Sequence, residues 1–240
     1  MFNLLRADFY KLRKSKAFLF TAVACLGIGA IHMLIPDAPA DLMGIDSGLG
    51  ALEMLATNFH AQIFVAFVVV FITAEFHLGT IKNTISRGTG RMKLYLSKFI
   101  VTSVATLLLL FVYTLVHVVF GTMRWGFSPY EGIPVYQIVN LIGWHMLFVT
   151  AYTALFMLIS IAFRNLAGAM VASYLYLITV ALLLPADGAL VRYELQWNVR
   201  NFGTLELAYE NHWHGIVVAL AWLVVSLALG VVIFRRQDIK

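Results

Sequence analysis

The polar residues that could carry chemistry are few, and they form no recognisable catalytic pattern. The chain lacks the His-Glu-x-x-His motif of zinc proteases, the Gly-x-Ser-x-Gly motif of hydrolases and the Gly-x-x-x-x-Gly-Lys-Ser/Thr phosphate loop. Glu194 and Glu206 lie too far apart, in a segment of loop character, to predict an acid–base pair. His212 and His214 would point to different faces of a helix, so we expect no metal site. The sequence predicts no catalytic residues and no bound cofactor.

One carboxylate stands out by its position. Glu75 follows an apolar run directly, and a charge at a membrane boundary is costly unless it is paired or hydrated. Its predicted partner is Lys82 or a basic residue of the N-terminal helix, and the alternative is a carboxylate that simply faces water. Gly79 and the stretch Gly88–Gly90 release the chain from helical geometry. The sequence therefore predicts a short helix, about Thr80 to Arg87, between two turns.

The amino-acid composition predicts that lipid, rather than water, surrounds much of the chain. Of the 240 residues 61% are hydrophobic and 12% are charged, whereas soluble domains have roughly 45–50% and about 25%. A soluble fold of this size could not bury so much apolar surface. The formal charge of +5 is divided among short patches without a basic stripe, which argues against nucleic-acid binding. The single cysteine, Cys25, lies in an apolar run and is predicted to be a buried apolar residue.

Six segments are long and apolar enough to cross a bilayer, which requires about 20 residues. The predicted fold class is therefore all-α, an integral membrane protein with six transmembrane helices. The spans are Ala17–Pro36, Phe59–Phe76, Phe99–Gly121, Ile138–Phe163, Leu166–Pro185 and Gly215–Phe234. The first exceeds the length of a signal peptide, and we expect it to be retained. Polar side chains inside the spans are predicted to make interhelical hydrogen bonds. They are His32, His117, His145, Ser103, Thr106, Thr114, Thr150, Thr153 and Ser160.

The distribution of lysine and arginine predicts the orientation. Fourteen of the 17 basic residues fall on one side of the six spans and three on the other. Basic residues concentrate in cytoplasmic connections, so both termini are predicted to be cytoplasmic. The basic residues on the opposite side are Arg124, Arg192 and Arg200.

Two segments outside the spans have character of their own. In residues 1–16, Phe2, Leu5, Phe9 and Leu12 recur at helical spacing, which predicts an amphipathic helix in the inner headgroup layer that turns into the first span. Residues 186–214, on the outer side, are rich in aromatic side chains that favour the membrane interface, and we expect them to fold back towards the outer leaflet. These aromatic residues are Tyr193, Trp197, Phe202, Tyr209 and Trp213.

Taken together, these features resemble the membrane subunits of ATP-binding cassette exporters of the type-2 permease family. The local similarity lies in the stretch Glu75–Lys82, which matches the family's Glu-x-x-x-Gly-Thr pattern, followed by Arg87 and Lys98. The amphipathic start, the six spans, the long last outer connection and the basic tail at Arg235 and Arg236 extend the resemblance over the whole chain.

The resemblance implies an architecture and its partners. Residues 1–240 would form a single transmembrane permease domain, with an elbow helix at 1–16, a coupling segment at 77–98 and an extracellular, re-entrant segment at 186–214. A second permease subunit, identical or a sibling, would pair with this one in the lipid bilayer. Two copies of a separate nucleotide-binding ATPase subunit would bind ATP and Mg and dock beneath them.

The resemblance also assigns roles to residues and a class of substrate. Contact with the ATPase subunit would involve Glu75, Gly79, Thr80, Ile81, Lys82, Thr84, Ile85 and Arg87. The outer gate would include Trp197, Phe202, Tyr209 and Trp213. Small permeases of this kind often export peptides, including antimicrobial peptides and lantibiotics, or protect against them. We therefore expect a multi-pass exporter in a bacterial plasma membrane.

Two alternatives remain open at the level of sequence. An ion-coupled secondary transporter would have internal repeats, broken helices and charge at mid-membrane, which are not evident here. A membrane scaffold or small intramembrane enzyme would need no ATPase, but the missing catalytic clusters count against the enzyme.

Overall fold

The structure is a computed structural model of the 240-residue chain and describes residues 2–34, 52, 55, 57–127, 135–183, 191–202 and 213–237. Within these ranges the chain forms nine α-helices and short 3₁₀ segments, without a β-strand. The all-α fold class is therefore confirmed for the described part. The helices are α1 (Phe2–Lys14), α2 (Lys16–Leu34), α3 (Phe59–His77), α4 (Thr80–Ser86), α5 (Arg91–Trp125), α6 (Val135–Phe163), α7 (Leu166–Leu183), α8 (Leu195–Phe202) and α9 (Trp213–Arg236), and the 3₁₀ turn is Val191–Tyr193.

Within the described ranges, four helices are long and apolar enough to cross a membrane: α3, α5, the Ile138–Phe163 part of α6, and α9. α1 and α2 meet at a bend of 53°, and together they give a fifth candidate span. The apolar stretch of α7, Leu166–Thr179, is shorter; at 1.5 Å per residue it covers about 20 Å of a core of roughly 30 Å. Several long apolar helices are consistent with a multi-pass membrane protein. The number of six spans and the orientation of the chain in the membrane stay predictions.

α3 lies at the centre of the bundle, in contact with α2, α5, α6 and α7. Its apolar side chains surround the helix, and Phe64, Phe67, Val68 and Ile72 are all buried. A helix that is apolar on every side has to be enclosed by protein or lipid. α6 packs most extensively against α9 and also contacts α3, α5 and α7. The outer faces of the bundle expose large apolar side chains such as Phe111 of α5, as expected for helices that face lipid.

The glycine turns predicted on either side of α4 are present. Gly79 and Gly88 adopt φ values of 65° and 85°, which residues with a Cβ rarely adopt. The predicted helix Thr80–Arg87 is observed as Thr80–Ser86, with Arg87 as its C-cap. α5 begins at Arg91, within the predicted coupling segment 77–98, and runs on without a break for 35 residues. At about 52 Å this helix exceeds the thickness of the hydrocarbon core.

The start of α5 is fastened to the end of α9. The Arg91 guanidinium Nη1 donates to the carbonyls of Phe234, Arg235 and Gln237 at 3.4, 2.8 and 2.6 Å. Carbonyls at a helix C-terminus have no partner within the helix and attract cations. The Gln237 side chain donates in turn to the carbonyl of Ile161 at 2.8 Å. The hydrogen bonds of Arg91 and Gln237 thus hold α5, α6 and α9 together at this end of the bundle.

Of the interhelical hydrogen bonds predicted within the spans, one is confirmed. The hydroxyls of Thr106 in α5 and Thr153 in α6 lie 2.8 Å apart. His145 Nδ1 and Ser160 Oγ instead bond to carbonyls four residues earlier in their own helix, at 2.8 and 2.7 Å. For Ser160 the prediction was wrong, because a carbonyl of the preceding turn is within reach of a short polar side chain.

Candidate functional site

Two acids and two lysines form a cluster where α1, α3 and α5 meet, and all of them except the half-buried Lys11 are buried. Lys98 Nζ of α5 lies 2.6 Å from Asp8 Oδ1 of α1 and 2.7 Å from Glu75 Oε1 of α3. Lys11 Nζ of α1 lies 3.0 Å from the same Glu75 oxygen and 3.9 Å from Asp8 Oδ1. The side chains of Asp8 and Lys98 are only 2% and 5% exposed. We call Asp8, Lys11, Glu75 and Lys98 the charge cluster; its formal charges balance.

Two hydroxyls complete the coordination of the acids. Ser97 Oγ donates to Asp8 Oδ2 at 2.8 Å, and Thr80 Oγ1 lies 2.8 Å from Glu75 Oε2 and 3.1 Å from the Glu75 carbonyl. Each of the four carboxylate oxygens therefore has a partner. This matters because a buried charge is tolerated only when it is paired and hydrogen-bonded, and removing one partner of a buried pair costs about 3–5 kcal/mol.

The cluster connects the short helix α4 to the rest of the bundle. Glu75 lies in the last turn of α3, the chain turns at Gly79, and Thr80 is the first residue of α4. Because Thr80 bonds to both the side chain and the backbone of Glu75, α4 begins against the charge cluster. A displacement of α4 therefore acts directly on groups that also hold α1 and α5. The arrangement is suited to a mechanical link between these helices.

The two faces of α4 differ. Ile81 is buried and Ile85 packs against the apolar core. Lys82 and Arg87 are exposed, and so are Asn83 and Ser86 between them. Among the predicted coupling residues of α4, the two isoleucines therefore face the bundle and Thr84 is half-buried. Lys82 and Arg87 are the charged residues exposed on this helix and its C-cap. We call Lys82, Asn83, Ser86 and Arg87 the polar face of α4.

Of the two partners predicted for Glu75, the structure contains one. Lys11 of the N-terminal helix binds it, whereas Lys82 is exposed and makes no ion pair with the described residues. Sequence reasoning missed Asp8, Ser97 and the role of Lys98. One signal was present, since Asp8 is the only acid among the first 36 residues and shares a helix face with Leu5 and Leu12.

The predicted apolar face of α1 is divided. Leu12 is buried and Leu5 packs against the core, whereas Phe2 and Phe9 are exposed. The buried position one turn before Leu12 belongs to Asp8. α1 thus packs on the bundle along a stripe that includes charged residues, and its exposed aromatic side chains are free to contact lipid.

The segment from the 3₁₀ turn through α8 is held by a third buried acid, Glu194. Glu194 caps α8, accepting from the Trp197 backbone N–H at 2.9 Å, and its other oxygen accepts from the Tyr176 hydroxyl at 2.6 Å. Burial raises the pKa of this carboxyl, and the hydrogen bonds from Tyr176 and the α8 backbone oppose that rise only in part. Asn198 donates to the Glu194 carbonyl at 2.7 Å. α8 is thereby fixed to α7.

α9 makes further bonds to the 3₁₀ turn. Trp222 Nε1 donates to the Tyr193 carbonyl at 2.9 Å, and His214 Nε2 lies 2.7 Å from the carbonyl of Arg192. The segment from the 3₁₀ turn through α8 is therefore bound to both α7 and α9.

Of the four predicted gate residues, Trp197 and Trp213 have described side chains. Trp197 of α8 is half-buried, and Trp213 at the start of α9 is 74% exposed. Phe202 ends α8, but only its backbone is described, and Tyr209 lies outside the described residues. Residues 186–190 and 203–212 of the predicted re-entrant segment also lie outside them.

No metal-binding geometry is found among the described residues. They contain no group of three or more His, Cys, Asp or Glu side chains placed to hold a metal ion. Cys25 is buried and unbonded to another cysteine, as the position of this residue in an apolar run predicted.

Comparison with known proteins assigns the chain to a family. The family model described as "Protein of unknown function (DUF2705)" matches residues 43–240, which is most of the chain. The protein therefore belongs to the DUF2705 family. The match includes Glu75, α4 and Lys98, and begins after α1, so that Asp8 and Lys11 lie outside it. No curated protein matches the chain.

Proposed function

We propose that this member of the DUF2705 family is the membrane-spanning permease subunit of an ATP-binding cassette exporter. It would move a peptide or another amphipathic substrate out of the cell, using ATP hydrolysed by a separate subunit. The observation that supports this most directly is α4: a short helix between two candidate spans, fixed at one end to a buried charge cluster and displaying a polar face outward.

The proposed topology has six spans with both termini in the cytoplasm. α1 serves as the elbow that leads into the first span across the 53° bend. The excess of lysine and arginine on one side of the spans places α4 and the charge cluster at the cytoplasmic end. The Glu194 network then lies at the extracellular end, where the segment from the 3₁₀ turn through α8 closes the exit.

The energy has to reach the membrane through a contact, because the chain has no phosphate loop of its own. An ATPase subunit that holds Mg-ATP can bias a membrane protein between two states only by interacting differently with each. The polar face of α4 provides such a contact, and it presents two positive charges, Lys82 and Arg87. Two permease subunits, identical or siblings, would dock on two ATPase subunits.

The charge cluster would carry the movement onward. α4 begins at Thr80, which bonds to Glu75, and Glu75 shares Lys98 with Asp8. An α4 displaced by the ATPase would therefore move the ends of α1, α3 and α5 as one unit. Buried, fully paired groups of this kind rigidify a structure and specify one arrangement.

The test is co-purification. Tagged protein is extracted from its native host in mild detergent, and ATP hydrolysis is measured on the proteins that accompany it. We expect a stoichiometric ATPase subunit with the wild type and a loss of that subunit with Lys82→Glu/Arg87→Glu, which reverses the charge of the polar face of α4.

A matched control separates docking from insertion. Arg13→Glu/Lys14→Glu makes the same charge change on exposed residues of the same proposed membrane side, and should keep the ATPase. An abundant, well-folded wild type that brings down no ATPase would refute the proposed function. Loss of the subunit in both double variants would show that net charge, rather than α4, governs the association.

A further inference from the structure

A large open cavity lies beside α4, on a different side from the charge cluster. Its volume is about 810 Å³, and its walls come from the end of α3, from α4 and from the link between α6 and α7. Neither Glu75 nor Lys98 lines it. Sites that enclose small ligands have volumes of roughly 300–1,000 Å³, so the cavity is large enough to hold one.

The cavity is cationic at one end. Lys82 of α4, Arg164 of the α6–α7 link and His77 at the end of α3 line it, and no Asp or Glu does. All three of these residues are exposed. The position of Arg164 is fixed by a two-residue link in which it adopts φ 57°, while the Asn165 side chain accepts from the Gly168 N–H at 2.7 Å to begin α7. The three basic residues thus line the same cavity.

Most of the rest of the wall is apolar, with Thr73 and Asn165 as polar residues, and it extends along α3 to Val70. Val70, Phe76, Ile81 and Leu166 line it. Val70 precedes His77 by seven residues on α3, which places it about 10 Å further along the helix axis at 1.5 Å per residue. A ligand that fits this cavity has an anionic group beside the basic residues and an apolar part that extends for about 10 Å from that group.

We propose that this cavity binds an anionic phospholipid, with its phosphate against Lys82, Arg164 and His77 and an acyl chain along Val70 and Leu166. Basic pockets between transmembrane helices on the cytoplasmic side are suited to anionic headgroups, because that leaflet supplies the lipid and each cation near the surface contributes attraction. The lipid would lie between α4 and the α6–α7 link and would set the position of α4. The binding itself does not depend on the exporter proposal.

The experiment measures binding to the purified full-length protein in detergent. Dioleoyl phosphatidylglycerol is titrated, with dioleoyl phosphatidylcholine as the uncharged comparison, and bound lipid is counted by native mass spectrometry alongside the apparent Tm. We expect one phosphatidylglycerol to bind in preference. Since each cation contributes roughly a fivefold factor, Lys82→Gln should weaken this binding about fivefold and Lys82→Gln/Arg164→Gln about 25-fold.

Two further variants distinguish the cavity from general surface charge. Arg13→Gln/Lys14→Gln removes two exposed charges elsewhere and should leave the affinity within about twofold. Val70→Phe fills the apolar end without changing any charge and should weaken binding at least as much as Lys82→Gln.

Three results would overturn the proposal: equal binding of the two lipids, equal losses in Lys82→Gln and in the Arg13/Lys14 control, or a purified protein in which a second copy of the chain occupies the cavity and excludes phosphatidylglycerol. Lys82→Gln alone changes an exposed residue without an ion pair in the described part. It therefore keeps the test decisive if the double variant fails to fold. The failure of ATPase co-purification would leave this result untouched.

Discussion

Lys98→Met tests the charge cluster most severely. Lys98 Nζ is the atom shared by Asp8 and Glu75, at 2.6 and 2.7 Å, and its side chain is 5% exposed. Methionine keeps the length and the apolar part of the side chain, and leaves two buried acids with one lysine. Breaking a buried pair in this way destabilises by about 3–5 kcal/mol. At roughly 2–4 °C per kcal/mol for a chain of this size, the apparent Tm should fall by about 6–20 °C.

The assay is thermal unfolding of detergent-purified protein, followed by fluorescence-detected size exclusion. Lys93→Met is the matched control, because Lys93 lies on the same helix, is exposed and makes no ion pair with the described residues; its Tm should change by less than about 2 °C. Asp8→Asn added to Lys98→Met removes the acid that has lost its partner and restores the charge balance. The double variant should therefore be more stable than the sum of the two single effects predicts. An unchanged Tm in Lys98→Met, or strict additivity, would refute the reasoning.

Three further predictions concern α4, the end of α9 and the outer segment. Gly79→Pro and Glu75→Ala should abolish or strongly reduce export from intact cells, while surface-labelled protein stays at the wild-type level. Proline cannot adopt the φ of 65°, and alanine removes the carboxylate that joins α4 to the charge cluster. Normal export in both variants would exclude the coupling role. Arg91→Ala removes the donor to three carbonyls at the end of α9 and should lower stability by about 1–3 kcal/mol; Arg91→Lys should recover part of the loss of Tm, and an alanine variant as stable as wild type would contradict the cap. Burial raises the pKa of Glu194, so its contribution to stability is present below the unfolded pKa and is lost as the pH rises through the higher folded value. Glu194→Gln should therefore flatten the fall of Tm with pH across that window, and an unaltered slope would show that Glu194 is not the group responsible.

The coupling segment shows how far local sequence signals reach. Gly79 and Gly88 mark the turns, and α4 lies between them within one residue of the predicted bounds. Those signals are local, because a left-handed backbone position selects glycine whatever surrounds it. α5 begins at Arg91, directly after the second glycine turn, and its first turns include polar residues such as Lys93, because polar side chains do not interrupt a helix.

The charge cluster shows where local signals fail. Asp8 and Lys98 are 90 residues apart in the chain, and the residues around each of them do not predict that the two will pair. The one local signal at Glu75 is its position at the end of an apolar run. The exposure of Phe2 and the burial of Asp8 on α1 were likewise decided by packing against α5, which contacts α1 extensively. Tertiary pairing of charges thus has to be seen in the structure, whereas turns and span candidates can be predicted from residue type.

The central claim is that α4 contacts an ATPase, and site-specific cross-linking tests it most directly. Cys25 is the only cysteine and is buried, so Cys25→Ala provides a background for single cysteines at Arg87, on the polar face of α4, and at Trp213, which is exposed at the other end of the bundle. In native membranes treated with a thiol-reactive photocross-linker, we predict that the Arg87→Cys variant captures an ATP-hydrolysing subunit and that the Trp213→Cys variant does not. Absence of any ATPase adduct at Arg87→Cys, or the same adduct from both positions, would contradict the account.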